Sequence, residues 1–213
     1  MRTKILALLF FCTASCLCLT SCGGDDDEPT ADGSGKLKGH EYVDLGLPSG
    51  TKWATCNVGA VIPGAYGKKY KWGETDNGYK GYETGYYEQS NSWYYREFTD
   101  LDGYMLKLCC DAANVSWGGN WKMPTAVQFK ELIDNCTWVS ATENNIIGYK
   151  VIGPNGNSIF LAEAHYWTNT ARTPAFGEAI EEAYNFYFVV NTYPTRLQTS
   201  LRDYEFYVRP VVK

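Results

Sequence analysis

Trp117-Gly118-Gly119-Asn120-Trp121-Lys122-Met123-Pro124-Thr125-Ala126-Val127-Gln128-Phe129 is the stretch from which the fold is read. Two indoles bracket a Gly-Gly-Asn turn, residue types that tolerate a tight reversal. Pro124 restricts the approach to a helix. Thr125 and Gln128, three apart, have the spacing of a capping box. Behind that cap Phe129, Leu132, Ile133 and Cys136 recur at i, i+3, i+4 and i+7, so one helix face is apolar and must pack on a core. Upstream, Met105, Leu108, Cys109 and Ala112 show the same spacing. They predict another helix, with Cys109 inward and Cys110 off the stripe.

Outward from these helices the pattern turns to period 2. Tyr149-Lys150-Val151-Ile152 and Ser158-Ile159-Phe160-Leu161 flank Gly153-Pro154-Asn155-Gly156-Asn157, a hairpin signal. Tyr166-Trp167-Thr168 reads as a short strand. Tyr184, Phe186, Phe188 and Val190 alternate along the next, and Tyr204 to Val212 close the sheet, with Pro210 at an edge or bulge. On the N-terminal side, Glu41–Leu45 and Lys52–Cys56 predict paired strands around the Pro48-Ser49-Gly50 turn. Residues 64–104 differ: nine tyrosines, Trp72, Trp93 and seven glycines occur without sustained periodicity, which predicts a long aromatic excursion with little regular structure. Two helices among short hairpin-linked strands make the expected class α+β with antiparallel sheets and long loops.

The N-terminus carries an address. Arg2 and Lys4 precede an uncharged, mostly apolar run from Ile5 to Leu19, and Leu19-Thr20-Ser21-Cys22 follows. This is a secretory signal with a small-residue cleavage site, short for a membrane span. The cysteine directly after the cut resembles the lipobox of bacterial lipoproteins, which implies lipid on Cys22. Multiple acyl chains anchor stably, at roughly 0.8 kcal/mol per buried methylene. Gly23-Gly24 then lead into Asp25, Asp26, Asp27 and Glu28, a run that resembles the surface-export signal of Bacteroidetes lipoproteins. Residues 1–21 are thus expected to be a signal peptide, 22–39 a flexible acidic tether, and 40–213 one folded domain. The expected location is the outer membrane, lipid-anchored and facing outward.

The formal net charge of −5 comes with no basic stripe, which argues against a nucleic-acid partner. Of eight cysteines, Cys12, Cys16 and Cys18 leave with the signal and Cys22 takes lipid; Cys56, Cys109, Cys110 and Cys136 remain. With no CxxC and only His40 and His165 as histidines, no metal site and no cofactor is expected.

Several ordered segments carry a resemblance: Glu41–Leu47, Lys52–Ala60, Lys71–Thr75, Asp111–Ala113, Trp117–Thr125, Cys136–Trp138, Gly148–Val151, Asn155–Leu161, Tyr166–Thr168 and Val208–Val211. The set resembles the Fibrobacter succinogenes major paralogous domain, common in Bacteroides surface lipoproteins. The resemblance implies a C-type lectin-like fold, akin to the formylglycine-generating enzyme and to retroelement-diversified binding proteins, and brings no settled activity. Cys56 and Cys136 both fall inside these motifs and are expected to lie close, as a disulfide or a buried thiol pair. The chain departs from the family after Leu161, where Ala162-Glu163-Ala164-His165 runs straight into Tyr166.

Catalytic readings are weak. Cys109-Cys110 is the only close cysteine pair and reads as structural rather than as an oxidase centre. Glu163 and His165 share a strand face but have no evident nucleophile beside them. Gly153-Pro154-Asn155 and Trp167-Thr168-Asn169 lack the residues of calcium-dependent lectin signatures. Tyr82, Tyr86, Tyr87, Trp93, Tyr94 and Tyr95 lie outside the family motifs and are the ligand-binding candidates, because tyrosine gives a rigid ring with a polar tip at low rotamer cost. The expectation is a non-enzymatic surface lipoprotein that binds an extracellular glycan or protein. The alternatives are a structural subunit or tip adhesin of a surface assembly and, third, an enzyme related to the formylglycine-generating oxidases.

Overall fold

The computed structural model describes residues 30–78, 84–87, 92–95, 101–173 and 181–213. In chain order its strands are β1 (Gly35–Leu37), β2 (His40–Asp44), β3 (Lys52–Ala54), β4 (Lys69–Tyr70), β5 (Thr84–Tyr87), β6 (Ser92–Tyr95), β7 (Leu101–Asp102) and β8 (Met105–Leu106). A 3-10 turn (Leu108–Cys110) leads into helices α1 (Ala112–Trp117) and α2 (Ala126–Asn135). Then come β9 (Thr137–Glu143), β10 (Ile146–Ile152), β11 (Ser158–Ala162), β12 (His165–Ala171), β13 (Glu182–Val189), β14 (Tyr193–Leu201), β15 (Phe206–Tyr207) and β16 (Val211–Val212).

The main sheet runs β14-β13-β12-β15-β4, with β8 also pairing β12. A second sheet runs β1-β2-β3-β16, a third β11-β10-β9, and β5 pairs β6. The pairings are antiparallel except β12 with β15. The architecture is therefore α+β and dominated by antiparallel sheet.

Helix α2 forms as its sequence dictates. The Thr125 hydroxyl accepts from the Gln128 N–H while the Gln128 side chain accepts from the Thr125 N–H. Phe129 and Leu132 are fully buried in a core shared with Trp53, Leu161, Tyr166, Phe186 and Phe188. The hairpin β10–β11 pairs Tyr149 with Leu161 and Ile152 with Ser158. At its turn Asn155 and Asn157 both donate side-chain N–H bonds to the Asp44 carbonyl, at 2.9 Å each. Only glycine fits at 153, where an added Cβ would lie 2.1 Å from the Leu45 oxygen.

Three expectations need correction here. The helix predicted across Met105–Ala112 is replaced by β8, the 3-10 turn and a start at Ala112, because the Asp111 carboxylate accepts from the N–H groups of Ala113 and Asn114 and so fixes the N-terminus of α1 there. In consequence Cys110 is buried and Cys109 exposed, the reverse of the stripe. The tether expected over 22–39 ends sooner: Gly35–Leu37 pairs with β2, the Trp121 Nε1–H donates to the Leu37 carbonyl at 2.9 Å, and His40 stacks on Trp117 at 3.8 Å between centroids. The excursion over 64–104 also contains short strands, β4 to β7.

Arg209, fully buried, joins distant segments. Its Nε donates to Asn57 Oδ1 at 2.8 Å, and its terminal nitrogens donate to the carbonyls of Ala54, Thr55 and Phe160 at 2.9, 2.7 and 3.0 Å. Asn57 in turn donates to the Tyr66 carbonyl at 2.9 Å. This buried guanidinium thereby holds the loop that carries Tyr66.

Candidate functional site

The main sheet presents a row of stacked rings on its outer face. Along β12 and β13, Tyr166 and Phe186 are paired and buried, so the next pair, His165 and Tyr187, points the other way. Their rings stack at 3.8 Å between centroids and 14° between planes. On one side, Arg196 of β14, paired with Tyr187, sits with its guanidinium carbon 5.8 Å from the Tyr187 ring centre. On the other, Phe206 of β15 stacks on His165 at 4.6 Å and 18°. Tyr204, 54% exposed, continues the row against Phe206 at 6.0 Å and 18°. The result is one stack in which the rings of Tyr187, His165, Phe206 and Tyr204 lie nearly parallel, with Arg196 over the outer face of Tyr187.

A cavity of about 300 Å³ opens beside this row. His165 and Phe206 form one wall; Tyr66 and Tyr207, stacked at 5.2 Å, form another. The Lys69 ammonium lies 5.3 Å from the Tyr207 ring centre. Glu163 and Glu205 add carboxylates to the lining. Glu163 and His165 reach this place because the connection from β11 to β12 is only Glu163-Ala164, braced by the buried Tyr166 hydroxyl donating to the Ala162 carbonyl at 2.8 Å.

The electrostatics favour a neutral stack. Burial lowers the pKa of His165 below its ordinary value; the Asn185 hydrogen bond opposes this, and the Arg196 and Lys69 charges reinforce it. Its Nδ1 lies 3.1 Å from Asn185 Oδ1, and the Asn185 amide nitrogen donates to Ser200 Oγ at 2.9 Å, which fixes the ring plane. Burial, with Tyr207 and Glu163 nearby, raises the Tyr66 hydroxyl. Glu163 accepts from the Val190 N–H at 2.8 Å through one oxygen. Glu163 and His165 thus hydrogen-bond different partners and are not arranged as a base pair. Among the described residues no group of three or more His, Cys, Asp and Glu is placed to hold a metal ion.

A larger groove of about 660 Å³ lies between β8, the helices and β16. Three of its polar side chains are spent internally: Asp111 receives backbone N–H groups, and Thr125 and Gln128 cap α2. The His165 row instead sets ring edges, with the exposed Tyr66 and Tyr204, around an open cavity.

Comparison with known proteins finds no matching family model, no matching curated protein and no matching solved structure.

Of the residues expected to matter, Cys22, Asp25, Asp26, Asp27, Glu28 and Tyr82 lie outside the described residues. Tyr86 and Tyr87 fall in β5, and Trp93, Tyr94 and Tyr95 in β6, with Tyr86 paired to Trp93 and Gly85 to Tyr94. Cys56 and Cys136, expected as a disulfide or a buried thiol pair, are both free cysteines and half-buried. Cys136 ends α2 and packs against the core of Trp53 and Phe129, whereas Cys56 follows β3 near Arg209. Burial pushes the Cys136 thiol up to about 11. Trp72, inside the Lys71–Thr75 segment, is fully buried and donates to the Thr168 carbonyl at 2.8 Å.

The sequence reasoning missed Tyr187, Tyr204, Phe206, Tyr207 and Tyr66 as a unit. One signal existed: Tyr187 interrupts the Phe186 and Phe188 register as an outward ring, and the shortened segment after Leu161 places His165 opposite it.

Proposed function

We propose that this chain is a lipid-anchored outer-membrane lipoprotein whose C-type lectin-like domain, facing outside the cell, binds glycan without catalysis through the His165 row. The observation that carries the reading is the stack of Tyr187, His165, Phe206 and Tyr204 beside a cavity lined by Tyr66, Lys69, Glu163 and Glu205. A sugar offers C–H groups to the ring edges and to the half-exposed Tyr204, and hydroxyls to the surrounding charges. A concave patch with an apolar floor and a few convergent polar groups is the usual form of a small-ligand site. The lipobox-like Leu19-Thr20-Ser21-Cys22 and the acidic run after it support the location, and the ordered motifs from Glu41 to Val211 support the lectin-like assignment. Tyr86 and Trp93, paired in the β5–β6 hairpin, are a further candidate contact.

A glycan array on the purified chain tests the reading. Retention of a glycan is expected, and Tyr187→Ala should weaken it about tenfold or more, the scale of one lost aromatic contact of about 1.4 kcal/mol. The melting temperature should change little, because Tyr187 is only partly buried. Unchanged glycan binding by Tyr187→Ala and Tyr204→Ala, or capture of no glycan at all, would remove this reading.

A further inference from the structure

Apart from the aromatic row, one pair of reactive side chains lies close together outside the proposed binding site. Cys109 and Cys110 are adjacent in the 3-10 turn Leu108–Cys110, and their Sγ atoms lie 3.3 Å apart. Cys110 is fully buried among Val58, Trp72, Ala113 and Trp167, while Cys109 is exposed. The turn is a single one: the Cys110 N–H donates to the Lys107 carbonyl at 3.0 Å and the Asp111 N–H to the Leu108 carbonyl at 3.3 Å. The peptide between the two cysteines can therefore reorient without unzipping a longer helix.

We propose that Cys109 and Cys110 form a two-electron redox site, a vicinal dithiol that closes to a disulfide by exchange with an oxidised dithiol or a low-molecular-weight disulfide. Exported proteins meet such oxidants, so the supply of oxidant rests on the location proposed above; the geometry of the pair does not. Exposed Cys109 reacts first. Its thiolate attacks one sulfur of the external disulfide, that S–S bond breaks, and the leaving sulfur departs as a thiolate that takes up a proton. Cys110 then loses its proton and attacks the Cys109 sulfur of the mixed disulfide, and the second external sulfur leaves as a thiol. The two cysteines are oxidised by two electrons and the external disulfide is reduced to two thiols.

The product is a labile bond. Neighbouring Cα atoms are about 3.8 Å apart across a trans peptide, below the roughly 4.4–6.8 Å that disulfides favour. Strained disulfides are the readily reduced ones. The flanking Leu108 and Asp111 line the groove of about 660 Å³, so closing the ring acts directly on that wall.

The test uses the full chain, incubated in graded mixtures of oxidised and reduced glutathione, quenched with acid, digested and mapped by mass spectrometry. The peptide holding Cys109 and Cys110 should lose the mass of two hydrogen atoms and become unreactive to iodoacetamide. Excess reduced glutathione should reverse both changes. Cys110→Ser should instead accumulate glutathione on Cys109, and Cys109→Ser should leave Cys110 unmodified. Stable glutathione on Cys109 of the unaltered chain, or bridges to Cys56 or Cys136 in place of the vicinal one, would overturn the proposal. Because the measurement uses purified protein and no glycan, its failure leaves the binding reading and the location untouched.

Discussion

Replacing Asp111 by alanine removes a carboxylate on which three backbone N–H groups converge. Those of Ala113 and Asn114 approach at 2.9 and 3.1 Å, and that of Met123 at 2.9 and 3.0 Å to the two oxygens. The first two are the N-cap of α1, worth about 1 kcal/mol. The third clamps the Trp117–Thr125 turn to the helix, and a buried N–H left unpaired costs about 1–3 kcal/mol. The expected loss is about 2–4 kcal/mol at pH 7. A second effect has the opposite sense. Burial pushes the Asp111 carboxyl up from 3.8 to about 6, against the pull of the Asn114, Met123 and Ala113 N–H groups and the Lys122 charge. A rise of that size corresponds to on the order of 3 kcal/mol. Since the folded pKa is the higher one, the protonated acid contributes stability that is whole below pH about 4 and lost as pH rises through about 6. Urea unfolding followed by tryptophan fluorescence, from pH 4 to pH 7, reads both effects. Asp111→Ala should be destabilised at pH 7. The stability difference between the unaltered protein and Asp111→Asn should shift by on the order of 3 kcal/mol across that window. A cost below about 1 kcal/mol for the alanine variant, or parallel pH curves for the other two, would refute the reasoning.

Arg209→Lys should cost about 2–5 kcal/mol in the same unfolding assay, because an ammonium cannot span Asn57 Oδ1 and the Ala54, Thr55 and Phe160 carbonyls together; a cost within experimental error would show that the guanidinium is not the joint described. Gly153→Ala should lower the melting temperature, since its Cβ meets the Leu45 backbone oxygen at 2.1 Å; an unchanged melting temperature would mean that the approach of Leu45 to the hairpin turn is readily rearranged. Cys22→Ala should abolish incorporation of labelled palmitate in the bacterial host, and undiminished label would exclude lipid at Cys22.

How much of this was legible in the sequence depends on how local the cause is. The α2 start was readable because both halves of the Thr125–Gln128 box lie within one turn. The β10–β11 hairpin was readable because Asn155-Gly156 enforces a reversal. Met105–Ala112 misled because apolar spacing matched a helix, while one residue, Asp111, set the actual start from outside that stripe. The aromatic row was hidden for a different reason. Its rings come from β12, β13 and the segment around β15, and they meet only through the register His165 to Tyr187 and the parallel pairing of β12 with β15. Neither relation is written in any window of neighbouring residues.

The pairing of β3 with β16 has a consequence for the birth of the molecule. Val211 lies opposite Trp53, and Arg209 reaches back to the Ala54 and Thr55 carbonyls. A chain that emerges N-terminus first from a ribosome must carry β3 with one edge unpaired while some hundred and fifty residues follow before β16 is made. Such long-range closure is slow and comes late. The same joint that locks the finished fold therefore leaves the unfinished one without its closing strand until residues 209–212 have been made.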